Sequence, residues 1–161
     1  MTSSFGCIVI GAGHAGVEAA LAPARMGIPV LMINYSRETI GEMSCNPAIG
    51  GVGKGQLVRE VDVLGGEMGL AADRTGIQFR QLNGSKGPAV RSSRVQSDRA
   101  RYRVYMQDAV KRQANLTFYQ GEAAEILVVN GKGSGIRAVD GRVFTAPAVV
   151  VTSCTFLNGR M

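Results

Sequence analysis

The chain has no tryptophan, a single histidine and only three cysteines in 161 residues. Cys7, Cys45 and Cys154 are far apart in sequence, odd in number, and form no CxxC pair. With His14 as the sole histidine they give no zinc-ligand spacing, so neither a metal centre nor a disulfide framework is indicated. Such cysteine usage fits a reducing compartment, and the expected setting is cytoplasmic. No apolar run approaches the roughly 18 residues of a membrane-spanning helix, so no membrane association is expected. No basic segment precedes the first apolar stretch, as a secretory signal would need. Internal repeats, low-complexity tracts and linkers are also missing. The length points to one domain, and a hydrophobic content of 45% is enough for a core.

Against these absences stands one dense motif. Phe5-Gly6-Cys7-Ile8-Val9-Ile10 reads as a strand. Gly11-Ala12-Gly13-His14-Ala15-Gly16 is a glycine-rich turn, and a helix follows with Val17, Ala20, Leu21 and Ala24 on one face. Pro29 to Asn34 is a second strand. This is the dinucleotide fingerprint in the strand–turn–helix context that gives it meaning. Gly11 allows the tight turn, Gly13 lets backbone approach a pyrophosphate, and Gly16 lets helix and strand pack closely. The helix N-terminus offers free N–H groups and partial positive charge to phosphates. The ligand class is therefore an adenine dinucleotide. The alternative is a parallel-sheet protein whose glycines serve packing alone. The fingerprint lacks one part: a carboxylate for the ribose about 20 residues on. Asn34 stands there instead, and Glu38 is the nearest displaced acid.

Hydrophobic spacing predicts the remaining elements. Helices are expected from about Gln56 to Leu64 and Glu67 to Ala72, and a strand from Gly76 to Leu82. A long helix is expected from about Val95 to Gln113, burying Tyr102, Tyr105, Met106 and Ala109. Leu116 to Tyr119 is a short strand. From there three short strands, Ile126 to Val129, Gly135 to Val139 and Arg142 to Thr145, make a meander. Asn130-Gly131 and Asp140-Gly141 are its turn signals. Ala148 to Thr152 is a continuous apolar run of the kind buried on both faces of a parallel sheet. The layout is α/β.

Two further segments carry chemistry. Met43 to Gly55 sets Cys45 and Lys54 in a glycine-rich stretch. It is no P-loop, because Ala48 and Gly55 break the pattern. A thiol near a lysine and a helix start ionises readily and can act as a nucleophile; a small buried residue in a packed turn is the alternative. Between Arg80 and Arg112 lie nine of the 18 basic residues, with Asp98 and Asp108 as the sole acids. Such a block suits phosphate, or it is a solvated helix face.

The motifs Gly11 to Ala20, Met43 to Gly51, Gly53-Lys54-Gly55, Gly76 to Arg80 and Lys86 to Arg91 resemble those of one family. It is the large flavoprotein subunit that makes 5-carboxymethylaminomethyluridine at the tRNA wobble position, the glucose-inhibited division protein A family. The resemblance spans nearly the whole chain. It implies a Rossmann-like FAD-binding domain of the glutathione-reductase type, with a small antiparallel β-meander insert at about 123–146. Residues 1–161 would be the N-terminal part of that domain. It also implies FAD at Gly11, Ala12, Gly13, His14, Ala15 and Gly16, with Ala123 contacting FAD through its backbone. Cys45 takes a catalytic role near the flavin. NADH is the implied reductant and methylenetetrahydrofolate the carbon source. The implied partners are tRNA, a GTPase subunit of the same pathway and a second copy of the protein. Arg91, Arg94, Arg99 and Arg103 are the candidates for the tRNA backbone.

This chain departs from the family in several ways. The family's proteins are several times longer. The nicotinamide-binding region, the rest of the flavin site and the helical C-terminal domain have no counterpart before Met161, and no second dinucleotide fingerprint is present. Cys154 stands where the family has glycine, and Pro23 falls inside the first helix. The expectation for the chain alone is weak FAD binding and no NADH oxidation. Two other readings stay open: a non-catalytic FAD-binding fragment or diverged copy, and a generic flavin-dependent oxidoreductase.

Overall fold

The computed structural model describes residues 3–43 and 46–153; Cys45 and Cys154 lie outside these. The elements in chain order are β1 (Ser3–Ser4), β2 (Cys7–Ile10), α1 (His14–Arg25), β3 (Val30–Asn34), β4 (Ala48–Gly50), α2 (Lys54–Val63), α3 (Met68–Thr75) and β5 (Gly76–Leu82). They continue with β6 (Ser92–Ser97), α4 (Arg99–Arg112), β7 (Leu116–Gln120), β8 (Ala123–Val129), β9 (Lys132–Ala138), β10 (Val143–Thr145) and β11 (Val149–Val151).

The central sheet is wholly parallel, in the order β11-β2-β3-β7. The chain therefore runs outward from β2 through β3 to β7, then returns to the other side of β2 with β11. That reversal makes the switch point of a Rossmann-like sheet, where ligands bind at the strands' carboxyl ends. β2 and the first four residues of β3 are apolar because both faces are covered. Cys7, Val9, Val30 and Met32 pack toward α1 and α4, with Val17, Leu21, Tyr102 and Met106. Ile8, Ile10, Leu31 and Ile33 face the other way, onto Ile136, Ala138 and Phe144 of β9 and β10. The opposite layer is ordered β1-β10-β9-β8: an antiparallel meander of β8, β9 and β10, with β1 paired parallel to β10 at its edge. A third sheet, β4-β6-β5, is antiparallel and stands beyond α2 and α3.

Three expectations change. The helix expected from Val95 starts at Arg99, capped by the Asp98 side chain on the amides of Ala100 and Arg101. Residues 92–97 form β6 instead, the centre of the small sheet. Its polar sequence hides it, since Val95 is its one large apolar residue and packs against the core. α4 buries Tyr102, Met106 and Val110, while Tyr105 and Ala109 are half-buried. β11 is an edge strand rather than one buried on both faces: Val150 is 36% exposed and Val151 50%. Pro23 is accommodated within α1 because only Ala24 and Arg25 follow it. The missing N–H falls in the last turn, where few later bonds depend on it.

Carboxylates join the helices. Glu18 of α1 accepts from the backbone N–H groups of Glu67 (3.0 and 3.1 Å) and Met68 (2.6 Å), capping α3 from outside. Glu67 in turn pairs with Arg25 and accepts from the Tyr105 hydroxyl at 2.7 Å. The middle and end of α1 are thereby held to α3 and α4.

Candidate functional site

The turn between β2 and α1 sits at the switch point, and its three glycines have three different surroundings. Gly11 has φ +99°, and a Cβ there would lie 2.7 Å from the carbonyl oxygen of Thr152. A Cβ on Gly16 would lie 2.2 Å from the carbonyl oxygen of Gly11. Both positions are closed to side chains, one by conformation and crowding, one by contact of helix with strand end. Gly13 is the opposite case: nothing lies within 4 Å of its Cβ position. It opens onto the space in front of α1. Gly13 is also the N-cap of α1, and no side chain caps the helix there. The first-turn N–H groups have no intrahelical acceptor and face that space. An open approach, bare amides and the helix dipole together form an anion cradle.

Thr152, just past β11, closes the far side. Its hydroxyl donates to the Ile10 carbonyl at 2.8 Å, and its N–H bonds the same oxygen at 2.8 Å. The residue lies directly against the turn although it is remote in sequence. The signal in the sequence is a lone polar residue ending an apolar run.

His14 opens α1 and stacks edge-on against Tyr102, ring centroids 5.7 Å apart, with its Nδ1 3.4 Å from the Tyr102 hydroxyl. Burial, and then the charge of Lys54, push the His14 imidazole down to about 4. Burial holds the Tyr102 phenol far above its usual range, and the charges of Glu18 and Glu67 add to this. Both rings are therefore uncharged at neutral pH. The cradle draws its positive potential from backbone amides, not from the imidazole. A consequence for stability follows. Unfolded His14 takes up a proton near pH 6.5, whereas folded His14 does so only near 4. Stability is full above that window and falls as pH drops through it, by at most about 3 kcal/mol. Urea unfolding followed from pH 7 to pH 4 should show this fall, and His14→Gln should flatten it; an unchanged slope in that variant would assign the effect to other groups.

The other predicted contacts gather at the same end of the sheet. Asn34 ends β3, and its side-chain amide donates to the Ser36 carbonyl (2.7 Å) and Thr39 Oγ1 (2.8 Å). The side-chain nitrogen is thus engaged in holding the loop, while exposed Glu38 lies in the short helical turn 37–39. Ala123 begins β8 beside this strand end, since the N–H of nearby Gly121 bonds the Asn34 carbonyl at 2.9 Å. Gly41 N–H binds the Ala12 carbonyl at 2.8 Å and brings the loop after β3 onto the turn. That loop leads through buried Met43 to Asn46, β4 and Lys54. The charge of Lys54 reaches His14, and its Nζ donates to the Ala48 carbonyl at 3.3 Å.

The basic block does not form one surface. Arg91 Nε donates to the Gly84 carbonyl at 2.9 Å and fixes its own loop. Arg94 is on β6, and Arg99 and Arg103 are on α4. A groove of about 730 Å³ runs between α3 and α4, lined by Arg74, Arg101, Arg112, Tyr105 and Asp108.

The profile of the Glucose inhibited division protein A family matches residues 6–161. The chain belongs to that family. It is 53% identical over all its residues to the tRNA uridine 5-carboxymethylaminomethyl modification enzyme MnmG of Caldicellulosiruptor saccharolyticus. It covers 26% of that relative's length. The solved structure of Aquifex aeolicus GidA superposes with a TM-score of 0.92 at 54% identity, over 97% of this chain and 26% of the other. The chain thus spans about a quarter of these relatives. PqsL of P. aeruginosa, at 14% identity and a TM-score of 0.65, shares the fold over 91% of this chain and 42% of its own. Within the family frame, Thr152 and Tyr102, the partner of His14, are the site residues that the sequence motifs did not single out.

Proposed function

We propose that this chain is the FAD-binding N-terminal part of an enzyme that installs a carboxymethylaminomethyl group on C5 of the tRNA wobble uridine. The observation that carries the proposal is the open cradle at Gly13 with bare helix amides, in a chain 53% identical throughout to an enzyme named for that modification. The residues fit FAD: amides of Gly13, His14, Ala15 and Gly16 for the pyrophosphate, the open space at Gly13 for close approach, and Gly11 and Ala12 for the turn that holds them. Asn34 or Glu38 serves the ribose, and the Ala123 backbone lies alongside. Bound there, the flavin supplies hydride and one-carbon transfer. The protein's own part is to hold it, to keep His14 uncharged beside it, and to present the loop bearing Cys45 and Lys54. Cys45 assists covalently or positions the intermediate. NADH, methylenetetrahydrofolate, a GTPase partner and a homodimer belong to the same proposal, for the full-length protein. Arg99 and Arg103, with the groove between α3 and α4, are the proposed RNA backbone contacts.

The test is genetic and chemical. Disrupting the gene should remove the carboxymethylaminomethyl nucleoside from wobble positions in hydrolysed tRNA, and the intact gene should restore it. Unchanged nucleoside levels after disruption would overturn the proposal.

A further inference from the structure

The small sheet carries an arrangement that the cradle does not account for. Antiparallel pairing places Arg94 of β6 directly opposite Arg80 of β5 on one side and Gly50 of β4 on the other. Directly opposed residues share a face, with Cβ atoms roughly 5 Å apart, and like charges so placed repel. Neither arginine forms an ion pair among the described residues. Arg94 is half-buried, which raises the cost of leaving its charge unanswered. Gly50, at φ +99°, lies so close to β6 that a Cβ there would meet the Ser93 carbonyl oxygen at 2.0 Å, and an opening lies between Arg94 and Lys54. A cavity of about 350 Å³ occupies that opening, lined by Asn46, Gly50, Lys54, Leu82 and Arg94 and by no carboxylate. Lys54 begins α2, so the helix N-terminus adds partial positive charge to the same wall. The Lys54 charge also reaches His14, at the start of α1.

An arginine, a lysine and a helix N-terminus around a cavity with no carboxylate among its described lining residues call for an anion, and the like charge of Arg80 opposite Arg94 sharpens the need. The cavity's size admits a small molecule, and a guanidinium fork matches a planar carboxylate. The group named in the relative ends in a carboxylate. Disconnecting –CH₂–NH–CH₂–COO⁻ between its nitrogen and the uridine-side carbon leaves aminoacetate, that is, glycine. We propose that the cavity between β4, β6 and the start of α2 is the subsite for the carboxylate of this amine donor, with Arg94 as its principal ligand and Lys54 in support. This rests on the proposed function for the identity of the donor. The site itself is defined by the residues above.

Saturation-transfer NMR on the flavin-loaded full-length protein tests it. Glycine should show transfer, acetate should compete it, and methylamine, which lacks the carboxylate, should not. Arg94→Gln should weaken glycine binding roughly ten- to hundredfold, the scale of a lost charge-assisted hydrogen bond, and Arg94→Lys should restore part of it. Flavin absorbance of each variant reports whether the fold is intact. Should Arg94→Gln fail to fold, competition by acetate in the wild-type protein decides alone. Absence of acetate competition there would overturn the subsite. So would unchanged glycine binding in Arg94→Gln, and so would a variant that loses tRNA or flavin affinity while keeping glycine, which would assign Arg94 to an RNA phosphate or to the cofactor. The two proposals fail separately. Glycine bound through Arg94 in a protein that modifies no tRNA overturns the function alone. Modification that proceeds with glycine unaffected by Arg94→Gln overturns the subsite alone.

Discussion

Gly13→Val in the full-length protein should bind flavin roughly a hundredfold more weakly, yet unfold within a few degrees of the wild type. The physical reason is that Gly13 is the one turn glycine whose Cβ position is empty. A valine meets no protein atom there, so the folded chain loses little. Its methyl groups instead occupy the approach to the bare amides of α1. Displacing a pyrophosphate from two or more charge-assisted bonds, each worth about 1.5–3 kcal/mol, gives a loss of this order. Gly16→Val is the contrasting control. Its Cβ would lie 2.2 Å from the Gly11 carbonyl oxygen, so helix and strand must part. Overpacking of this kind costs about 1–3 kcal/mol or more and should lower stability with or without flavin. Yellow protein at full occupancy after Gly13→Val would show that the turn is not the pyrophosphate site.

Cys45→Ser should bring the second large effect. Turnover of tRNA should fall roughly a thousandfold or more, as when an activated nucleophile is removed, with flavin still bound. A hydroxyl is close in size to a thiol but does not ionise beside a lysine in the same way. Lys54 is in the same sequence segment, and its charge reaches His14 at the start of α1. Single-turnover modification by the purified variant is the measurement. A rate within about tenfold of wild type would return Cys45 to a packing role.

Some of this was legible in the residue pattern and some was not, for identifiable reasons. β2, α1 and β3 could be read because both faces of the strands are covered and the glycines mark the turn. β6 could not. Its face toward the core needs only Val95, and the rest of Ser92 to Ser97 is polar, so it mimics the approach to the basic helix. The apolar run at Val149–Val151 suggested full burial, but apolar character records what a strand is suited to meet. In the described residues it is an edge. Arg80 and Arg94 appeared as members of a charge block; their opposition depends on strand register, which spacing along the chain does not encode. Gly11, Gly13 and Gly16 were assigned separate tasks from the fingerprint alone, and their surroundings differ accordingly.

The hydroxyl of Thr152 reaches back 142 residues to the carbonyl of Ile10. The glycine turn is therefore completed only when Thr152 has joined it. Until β11 pairs with β2, Gly11 has no neighbour on that side and the anion cradle lacks its rear wall. Contacts of such long sequence separation close slowly, because the entropy of the intervening loop is lost before they form. On the proposed function, cofactor capture waits for the arrival of β11, because the residue after it, Thr152, lies against both Gly11 and Gly16 of the turn.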